Sequence, residues 1–259
     1  MRARLNVDRF IAWNALVCSA GLVLCTSVGA SASTYSVNPT RVFLSAATRS
    51  ALVTIKNESD QPLRFQLSVM AWSQDPAGEM QLAPTEGIVF FPTLLTLARG
   101  EERKIRVGAA TALSNVEQTF RLFIEELPAQ DRPGEPGAVQ VLTKTGIPIF
   151  LQPAKARANA GFSDLDLAGG RFSFTLRNTG TAHMLPMAVK LTASGDLGQP
   201  VFEREAKVWY VLAGGTRALD LEMPKPECEA VRVLEVTALV DGKPIAERLA
   251  TPRGACGSK

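Results

Sequence analysis

The sequence predicts an all-β protein built from two immunoglobulin-like β-sandwich domains, and three observations support that fold class. Short segments in which apolar and polar residues alternate recur along the chain after residue 33. Clusters of proline, glycine and asparagine separate these segments, and helical periodicity is hard to find among them. Many short alternating strands divided by turn residues are typical of antiparallel sandwiches, because each strand buries only one face.

Residues 1–32 are predicted to be an export signal. A start with three arginines precedes an apolar run over residues 10–28, which ends near the small residues Ala30 and Ala32. A basic start, an apolar middle and a small-residue exit define a cleavable signal peptide. A membrane anchor is the alternative, but the run is short for a full span and no later segment is apolar enough. We therefore expect an exported protein that does not insert into a membrane after cleavage.

The first domain is predicted to span residues 33–153. Its alternating segments end at turn clusters, such as the one that begins at Asn57 and ends at Pro62. The predicted strands of this domain are residues 50–56, 63–72, 88–91, 104–107, 120–127 and 139–150.

The second domain is predicted to span residues 154–259, with residues 154–160 as the linker because they are rich in alanine and basic residues. Its predicted strands are residues 171–177, 188–192, 207–212, 217–221, 231–240 and 246–249. Each domain has a strand that ends in asparagine before a polar turn, at Asn57 and at Asn178. This shared pattern suggests two related folds of immunoglobulin-like size.

Cysteine usage and charge limit the classes of site that the chain can carry. Loss of the signal leaves Cys228 and Cys256, for which a disulfide is the default in an oxidising compartment. A metal site is disfavoured because the sequence has no CxxC spacing and a single histidine. The net charge of +3 is too small to indicate a nucleic-acid or membrane-surface partner.

The sequence offers little for catalysis, and we predict that the protein is not an enzyme and binds no cofactor. The single histidine, His183, is interpreted as a turn or domain-face residue, since no nucleophile motif stands near it. The paired acids Glu125 and Glu126 lie in a predicted strand and would point to opposite faces of the sheet.

The predicted strand at residues 139–150 follows a polar loop rich in proline and glycine at residues 130–137. Alternation places six side chains on one of its faces: Val139, Val141, Thr143, Thr145, Ile147 and Ile149. Pro148 cannot donate a hydrogen bond to a neighbouring strand, which indicates an edge or a bulge. Two interpretations stay open at this point: an ordinary last strand, or an edge offered to a partner strand.

The order and spacing of several short motifs resemble those of the PapD-like periplasmic chaperones of chaperone–usher pilus assembly. The resemblance covers most of the chain after the signal and is densest over residues 37–153. The Pro-Ile-Phe sequence at residues 148–150 and the Asn-Thr-Gly turn at residues 178–180 resemble the archaic branch of the family. The motifs that carry the resemblance are residues 37–43, 55–57, 97–100, 105–107, 120–128, 147–150 and 178–183.

The resemblance implies two immunoglobulin-like domains in a boomerang arrangement and a function as an assembly chaperone. Such a chaperone captures, folds and caps pilin subunits by donor-strand complementation and then delivers them to an outer-membrane usher. The rival hypothesis from the sequence is an exported two-domain adhesin or scaffold with the same fold.

The resemblance also assigns residues to a carboxylate anchor for the subunit's C-terminus. Arg41 matches the family's anchoring arginine, and a guanidinium suits a carboxylate well. The family's second anchor is a lysine, whose matching position here is Pro148. Lys144, four residues earlier on the same strand face, is the predicted replacement.

Two further sets of residues follow from the same resemblance. Glu117 and Asp241 match two acidic members of an interdomain charge network in the family. The family has an arginine between these acids, but the matching position in this chain holds Gln152. The side chains that the resemblance assigns to the donor strand are Val139, Val141 and Thr143.

Overall fold

The computed structural model describes residues 34–128, 141–251 and 255–256. The predicted signal sequence, the polar loop at residues 130–137 and Val139 lie outside these ranges. The described part of the chain is almost entirely β-structure arranged in two sandwiches, as the sequence predicts. No helix in these ranges is long and apolar enough to cross a membrane.

The first sandwich contains ten strands in two sheets. The strands are β1 (Tyr35–Asn38), β2 (Val42–Leu44), β3 (Ser50–Asn57), β4 (Leu63–Gln74), β5 (Met80–Pro84), β6 (Ile88–Phe91), β7 (Leu94–Leu97), β8 (Glu102–Ala109), β9 (Gln118–Leu127) and β10 (Lys144–Leu151). One sheet has the order β1-β3-β8-β6. The other has the order β2-β10-β9-β4-β5, with β7 also paired to β4.

Alternation along the strands builds the core of the first sandwich. In β4 the side chains of Phe65 and Leu67 are buried while Gln66 and Ser68 between them are exposed. Facing residues from the other sheet, such as Ile105, are fully enclosed. The first segment of the chain contributes to both sheets, because β1 pairs with β3 and β2 runs parallel to β10.

The second sandwich contains seven strands and one short helix. The elements are β11 (Ala160–Ala168), β12 (Arg171–Asn178), β13 (Met187–Ser194), β14 (Pro200–Ala206), β15 (Thr216–Glu222), α1 (Lys225–Ala230), β16 (Val233–Val240) and β17 (Lys243–Ala250). The sheets have the orders β11-β12-β15 and β14-β13-β16-β17. Phe172, Phe174 and Leu176 of β12 supply the centre of its core.

One predicted strand of the second sandwich is wrong. Residues 207–212 do not form a strand; only Val211 makes an isolated bridge, to Met184. The alternating apolar pattern there arises because Tyr210 and Leu212 pack against the first sandwich instead of into a sheet. The sequence also missed α1, whose six residues are too few to show helical periodicity.

A disulfide joins α1 to the end of the described chain. Cys228 is buried in the helix and is bonded to Cys256, with 5.7 Å between the two Cα atoms. This separation lies within the usual range for a disulfide. The bond fixes the C-terminal segment against the second core, where Ala255 also packs.

The hydrogen bonds of Asn57 explain why an asparagine ends β3. Its side chain is fully buried, and Nδ2 donates hydrogen bonds to the carbonyls of Gln61, Leu97 and Ala98 at 2.8, 3.1 and 3.2 Å. Its Oδ1 accepts from the backbone N–H of Ser59 at 2.9 Å. One amide side chain therefore satisfies the turn that it begins and the end of a neighbouring strand.

Asn178 does the same in the second sandwich. Its Nδ2 donates to three carbonyls, those of Ala182, Val211 and Leu212, at 2.8 to 3.1 Å. Its Oδ1 accepts from the backbone N–H groups of Gly180 and Asn159 at 3.0 and 3.2 Å. The second bond ties the turn to the residues that link the two sandwiches. The shared sequence pattern thus encodes one structural solution used twice.

We expect Asn57→Ala and Asn178→Ala each to lower the free energy of unfolding by about 2–4 kcal/mol, since each removes several hydrogen bonds between a buried amide and the backbone. Urea unfolding followed by near-ultraviolet circular dichroism measures this loss. Asn115→Ala, at an exposed loop position, is the matched control. A loss no larger than that of the control would show that the buried amides do not hold the turns.

Candidate functional site

The last strand of the first sandwich has one open edge. One edge of β10 pairs with β9 along the whole length of β10, from Lys144 to Leu151. On its other edge β2 pairs only with Ile149, Phe150 and Leu151. Within the described residues, residues 144–148 therefore have a strand on one side and none on the other.

The alternation of hydrogen bonds shows which backbone groups of β10 face the open edge. The N–H of Glu126 donates to the carbonyl of Thr143 at 2.9 Å, which marks that pair as a hydrogen-bonded one. In an antiparallel ladder such pairs recur every second residue, so Thr145 and Ile147 bond to β9. The backbone groups of Lys144 and Gly146 point away from β9, toward the open edge.

A groove of about 370 Å³ lies beside this edge, between β1 and β10. Its lining is mixed: Tyr35, Val37 and Ile147 are apolar or aromatic, and the rest are threonines. The Tyr35 hydroxyl lies 2.6 Å from Oγ1 of Thr145 and 3.2 Å from Oγ1 of Thr143. The lining residues are Thr34, Tyr35, Val37, Thr40, Thr143, Thr145 and Ile147.

The strand is shorter than the sequence predicts. β10 begins at Lys144, whereas the prediction began at residue 139, and residues 141–143 have no regular structure. Of the predicted donor residues, Thr143 lines the groove, Val141 is 51% exposed, and Val139 is outside the described chain. The side chain of Val141 is thus an apolar group left in solvent directly before an open edge.

Arg41 lies where the open edge of β10 ends and the pairing with β2 begins. It is exposed and immediately precedes Val42, which pairs with Ile149. By continuation of that parallel register, Arg41 stands beside Pro148. No described residue forms a hydrogen bond or an ion pair with its side chain.

Lys144 occupies a different part of the same strand. Its Nζ lies 2.8 Å from Oε2 of Glu125 and 5.1 Å from the centre of the Phe123 ring. Both members of the ion pair are about half exposed, so the pair contributes little to stability and can exchange partners. Four residues of β-strand, about 13 Å, separate Lys144 from Pro148.

The predicted network between the domains forms only in part and with a different partner. Glu117 is buried, and its Oε1 lies 2.9 Å from the backbone nitrogen and 2.7 Å from Nδ1 of His183. Asp241 lies in the exposed turn between β16 and β17, and no described contact joins it to Glu117. Glu117 is therefore paired with His183, whereas the family pattern pairs this acid with an arginine at the position of Gln152.

Aromatic packing surrounds this polar contact. The rings of His183 and Phe150 stack with 3.6 Å between their centres. Trp72 and Phe150 from the first sandwich form one buried cluster with Tyr210 and Leu212 from the second. The segment at residues 207–212 is therefore part of the domain junction, which accounts for the strand wrongly predicted there.

The hairpin between β4 and β5 adds polar contacts to the junction. The side-chain amide of Gln74 donates to the carbonyl of Tyr210 at 2.8 Å and accepts from the N–H of Leu212 at 2.9 Å. Arg217 pairs with Glu79 at 3.0 Å. Sequence reasoning missed Gln74 because its partners are backbone groups more than 130 residues away.

Arg121 is a further residue that sequence reasoning missed. It lies on β9 opposite Pro148 and is 5% exposed. Its guanidinium carbon lies 4.3 Å from the centre of the Trp72 ring and 4.4 Å from the centre of the Trp209 ring. Burial lowers the pKa of this guanidinium. The only sequence signal for Arg121 is an arginine between two apolar residues, Phe120 and Leu122, in a predicted strand.

The described residues contain no group of three or more histidine, cysteine or acidic side chains that could hold a metal ion. The geometry instead offers an open strand edge, a groove and several cations beside a domain junction. These features suit an extended polypeptide better than a small-molecule substrate.

Comparisons with known proteins show which family and which solved structures this arrangement resembles. Residues 34–157 match the family model described as pili and flagellar-assembly chaperone, PapD N-terminal domain. A comparison with curated protein sequences finds no match.

Solved structures resemble the chain over both sandwiches. One is a chain from the CsuC–CsuE chaperone–tip adhesion subunit pre-assembly complex of archaic Csu pili from Acinetobacter baumannii, with 18% identity, a TM-score of 0.58 and coverage of 83% of this chain and 97% of that one. Another comes from the Salmonella enterica SafA pilin in complex with the SafB chaperone, with 16% identity, a TM-score of 0.57 and coverage of 85% and 99%.

At these identities the structural likeness shows the fold, and assignment to the archaic branch stays a prediction. The family match covers the domain that carries the open edge. The matched family consists of assembly chaperones, so the protein is not an enzyme. Residues 34–157 therefore belong to the PapD-like family of pilus-assembly chaperones.

Proposed function

We propose that this chaperone acts in the periplasm, captures pilin or fimbrial subunits by donor-strand complementation at the open edge of β10, and delivers them to an outer-membrane usher. The observation that carries the proposal is the edge at residues 144–148, which lacks a second strand within the described chain. The domain bounds of 33–153 and 154–259, with a signal at 1–32, are part of the same proposal.

Strand addition at this edge follows from the chemistry of the backbone. The groups of Lys144 and Gly146 that face away from β9 can bond to an incoming extended segment. An open strand edge is an aggregation hazard unless a partner covers it. A subunit that lacks one strand has the complementary defect, since its unpaired backbone and exposed core are both satisfied by a lent strand.

The donor residues would be Val139, Val141 and Thr143, which alternate along the segment before β10. Val141 is 51% exposed in the free chaperone, so its transfer into a subunit's core is favourable by roughly 1 kcal/mol. Because β10 begins only at Lys144, binding would extend the strand toward residue 139 as the partner adds to it.

Arg41 would anchor the subunit's terminal carboxylate, supported by its exposure and by the lack of a described partner. A guanidinium binds a carboxylate through two parallel hydrogen bonds. Lys144 is the second candidate from the sequence. Its ion pair with Glu125 and its distance from Pro148 make it the weaker anchor.

The competing hypothesis is an exported adhesin or scaffold with the same two sandwiches. Co-expression with a candidate pilin subunit separates the two. A chaperone yields a stable one-to-one periplasmic complex, and the subunit is degraded when the chaperone is absent. Transport of this chain to the cell surface, with no such complex, would favour the adhesin.

We expect Val141→Asp to weaken subunit capture about tenfold or more, because a carboxylate would replace an apolar side chain in the subunit's core. The measurement is the equilibrium dissociation constant of the purified complex. Leu142→Asp is the matched control, since Leu142 is also exposed but alternation directs it to the other face. Equal loss in both variants would argue against a lent strand at this position.

We also expect Arg41→Ala to weaken capture by about 10- to 100-fold, which is the usual contribution of a charge-assisted hydrogen bond. Lys144→Ala should cause only a few-fold loss, because its charge is already balanced by Glu125. Competition binding against the unaltered chaperone compares the two directly. A larger loss for the lysine variant would reverse this assignment, and no loss for either would remove the carboxylate anchor.

A further inference from the structure

Three side-chain hydroxyls beside the open edge of β10 form one hydrogen-bonded row that ends at a buried carboxylate. Oγ1 of Thr145 lies 2.6 Å from the Tyr35 hydroxyl, and that hydroxyl lies 3.2 Å from Oγ1 of Thr143. Oγ1 of Thr143 in turn lies 2.9 Å from Oε2 of Glu126, which is 5% exposed. We call these four side chains the hydroxyl row.

The strands on either side of the groove hold the hydroxyl row in place. Thr145 belongs to β10 and Tyr35 to β1, and the Tyr35 ring packs edge-on against Phe65 with 4.8 Å between the ring centres. At the other end, Oε2 of Glu126 also accepts from the N–H of Thr143 at 3.3 Å, and the N–H of Glu126 donates to the Thr143 carbonyl at 2.9 Å. The fold itself therefore positions these oxygens, without help from a ligand.

The number of hydrogens in the hydroxyl row fixes the direction of its bonds. A carboxylate has no hydrogen to give, so Thr143 donates to Glu126. A hydroxyl has only one hydrogen, and that of Thr143 is then used, so Tyr35 donates to Thr143. By the same count, Thr145 donates to Tyr35. All three hydrogens point toward the buried carboxylate.

This direction leaves Thr145 as a hydrogen-bond acceptor at the groove. Thr145 lines the groove, and its only hydrogen is used in the bond to Tyr35. No described residue donates to its Oγ1. The neighbouring lining side chains of Val37 and Ile147 offer no polar group. A side chain that enters the groove here meets an oxygen that accepts and does not donate.

A segment that pairs with the open edge brings one of its side chains to this oxygen. Lys144 and Gly146, on either side of Thr145, turn their backbone groups toward the open edge. Residues that stand opposite each other in neighbouring strands point to the same face, with Cβ atoms about 4.5–5.5 Å apart. The partner residue beside Thr145 therefore points into the groove, at a spacing where short polar side chains form cross-strand hydrogen bonds.

We propose that Thr145 selects the captured segment by its chemistry, and that this segment carries a hydrogen-bond donor (serine, threonine or asparagine) at the position that points into the groove beside Thr145. This inference rests on the proposed function of subunit capture and deepens it. An apolar residue there would exclude water from Oγ1 without giving it a donor, which weakens binding. Tyr35 and Glu126 are positioning residues, because they set the direction of the Thr145 hydrogen.

The alternative is that the hydroxyl row only stabilises the chaperone. The two roles differ in what they do to specificity. A stabilising row affects the capture of every segment equally, whereas a selecting acceptor changes the order in which donor and apolar side chains are preferred at one position of the segment.

The test uses the full mature chaperone and the pilin subunit that forms a complex with it on co-expression. Single cysteines along the subunit's pairing strand are first tested for disulfide formation with Thr145→Cys, which identifies the subunit residue beside Thr145. That residue is then changed to threonine, valine, asparagine and aspartate in turn. Dissociation constants are measured for each of the four subunit forms.

The chaperone variants in this measurement are Thr145→Val, which replaces the acceptor by a methyl group, and Tyr35→Phe, which removes the middle hydroxyl and keeps the ring. Thr54→Val is the matched control, since Thr54 is a half-buried strand threonine on the outer face of β3. Thermal unfolding of each variant verifies that it is folded.

The unaltered chaperone should bind the threonine form about 3- to 10-fold more tightly than the valine form, and Thr145→Val should reverse this order. Tyr35→Phe frees the Thr145 hydrogen to point at the segment, so the preference for asparagine over aspartate should fall by about threefold or more. Thr54→Val should change neither ratio.

Two results would overturn the inference while subunit capture stands. One is an unaltered chaperone that prefers the valine form, and the other is a threonine preference that survives in Thr145→Val. If the unaltered chaperone forms no complex with any of the four subunit forms, or if a stable complex gives no cross-link to Thr145→Cys, the proposed pairing at this edge fails as well.

Discussion

The unequal pairing of β10 is the constraint on which the rest of the molecule depends. A strand in a sandwich core needs apolar side chains on one face and hydrogen-bonded neighbours on both edges. β10 satisfies both demands only where β2 joins it, at Ile149 to Leu151. Earlier in β10 the side chains still face the core, but one edge is open because β1, which precedes β2 in the chain, pairs with β3 in the other sheet. The groove between β1 and β10 is a direct consequence of this divided first strand.

The junction between the sandwiches fixes what stands beside that edge. Glu117 holds the turn of His183, whose ring stacks on Phe150 at the end of β10. Gln74 bonds to backbone on both sides of Val211 and so keeps Trp209 and Tyr210 against the first sandwich. Arg121 then contacts a tryptophan from each domain. Domain packing and the cation beside the open edge are therefore parts of one structure, and a change in the first would alter the second.

The sequence predicted the fold well because its signals are local. Alternation in β4 and β12 predicts strands from neighbouring residues alone, and the turns that Asn57 and Asn178 begin are likewise local, through bonds to residues two positions later. Prediction failed where tertiary contacts decide. Residues 207–212 alternate like a strand but pack across the junction, and Asp241 lies in an exposed turn with no described contact to Glu117. The sequence indicated a turn or domain-face position for His183 but not its contact with Glu117, and it gave no role to Arg121, because one partner of each pair comes from the other domain.

Amide hydrogen exchange at β10 tests the central claim, that its open edge receives a strand from a subunit. In the free chaperone the amides of Lys144 and Gly146 should exchange fast, while those of Thr145 and Ile147, which bond to β9, should be protected. When a pilin subunit is bound, Lys144 and Gly146 should become protected as well. A stable complex in which these two amides still exchange as fast as in the free protein would contradict the account.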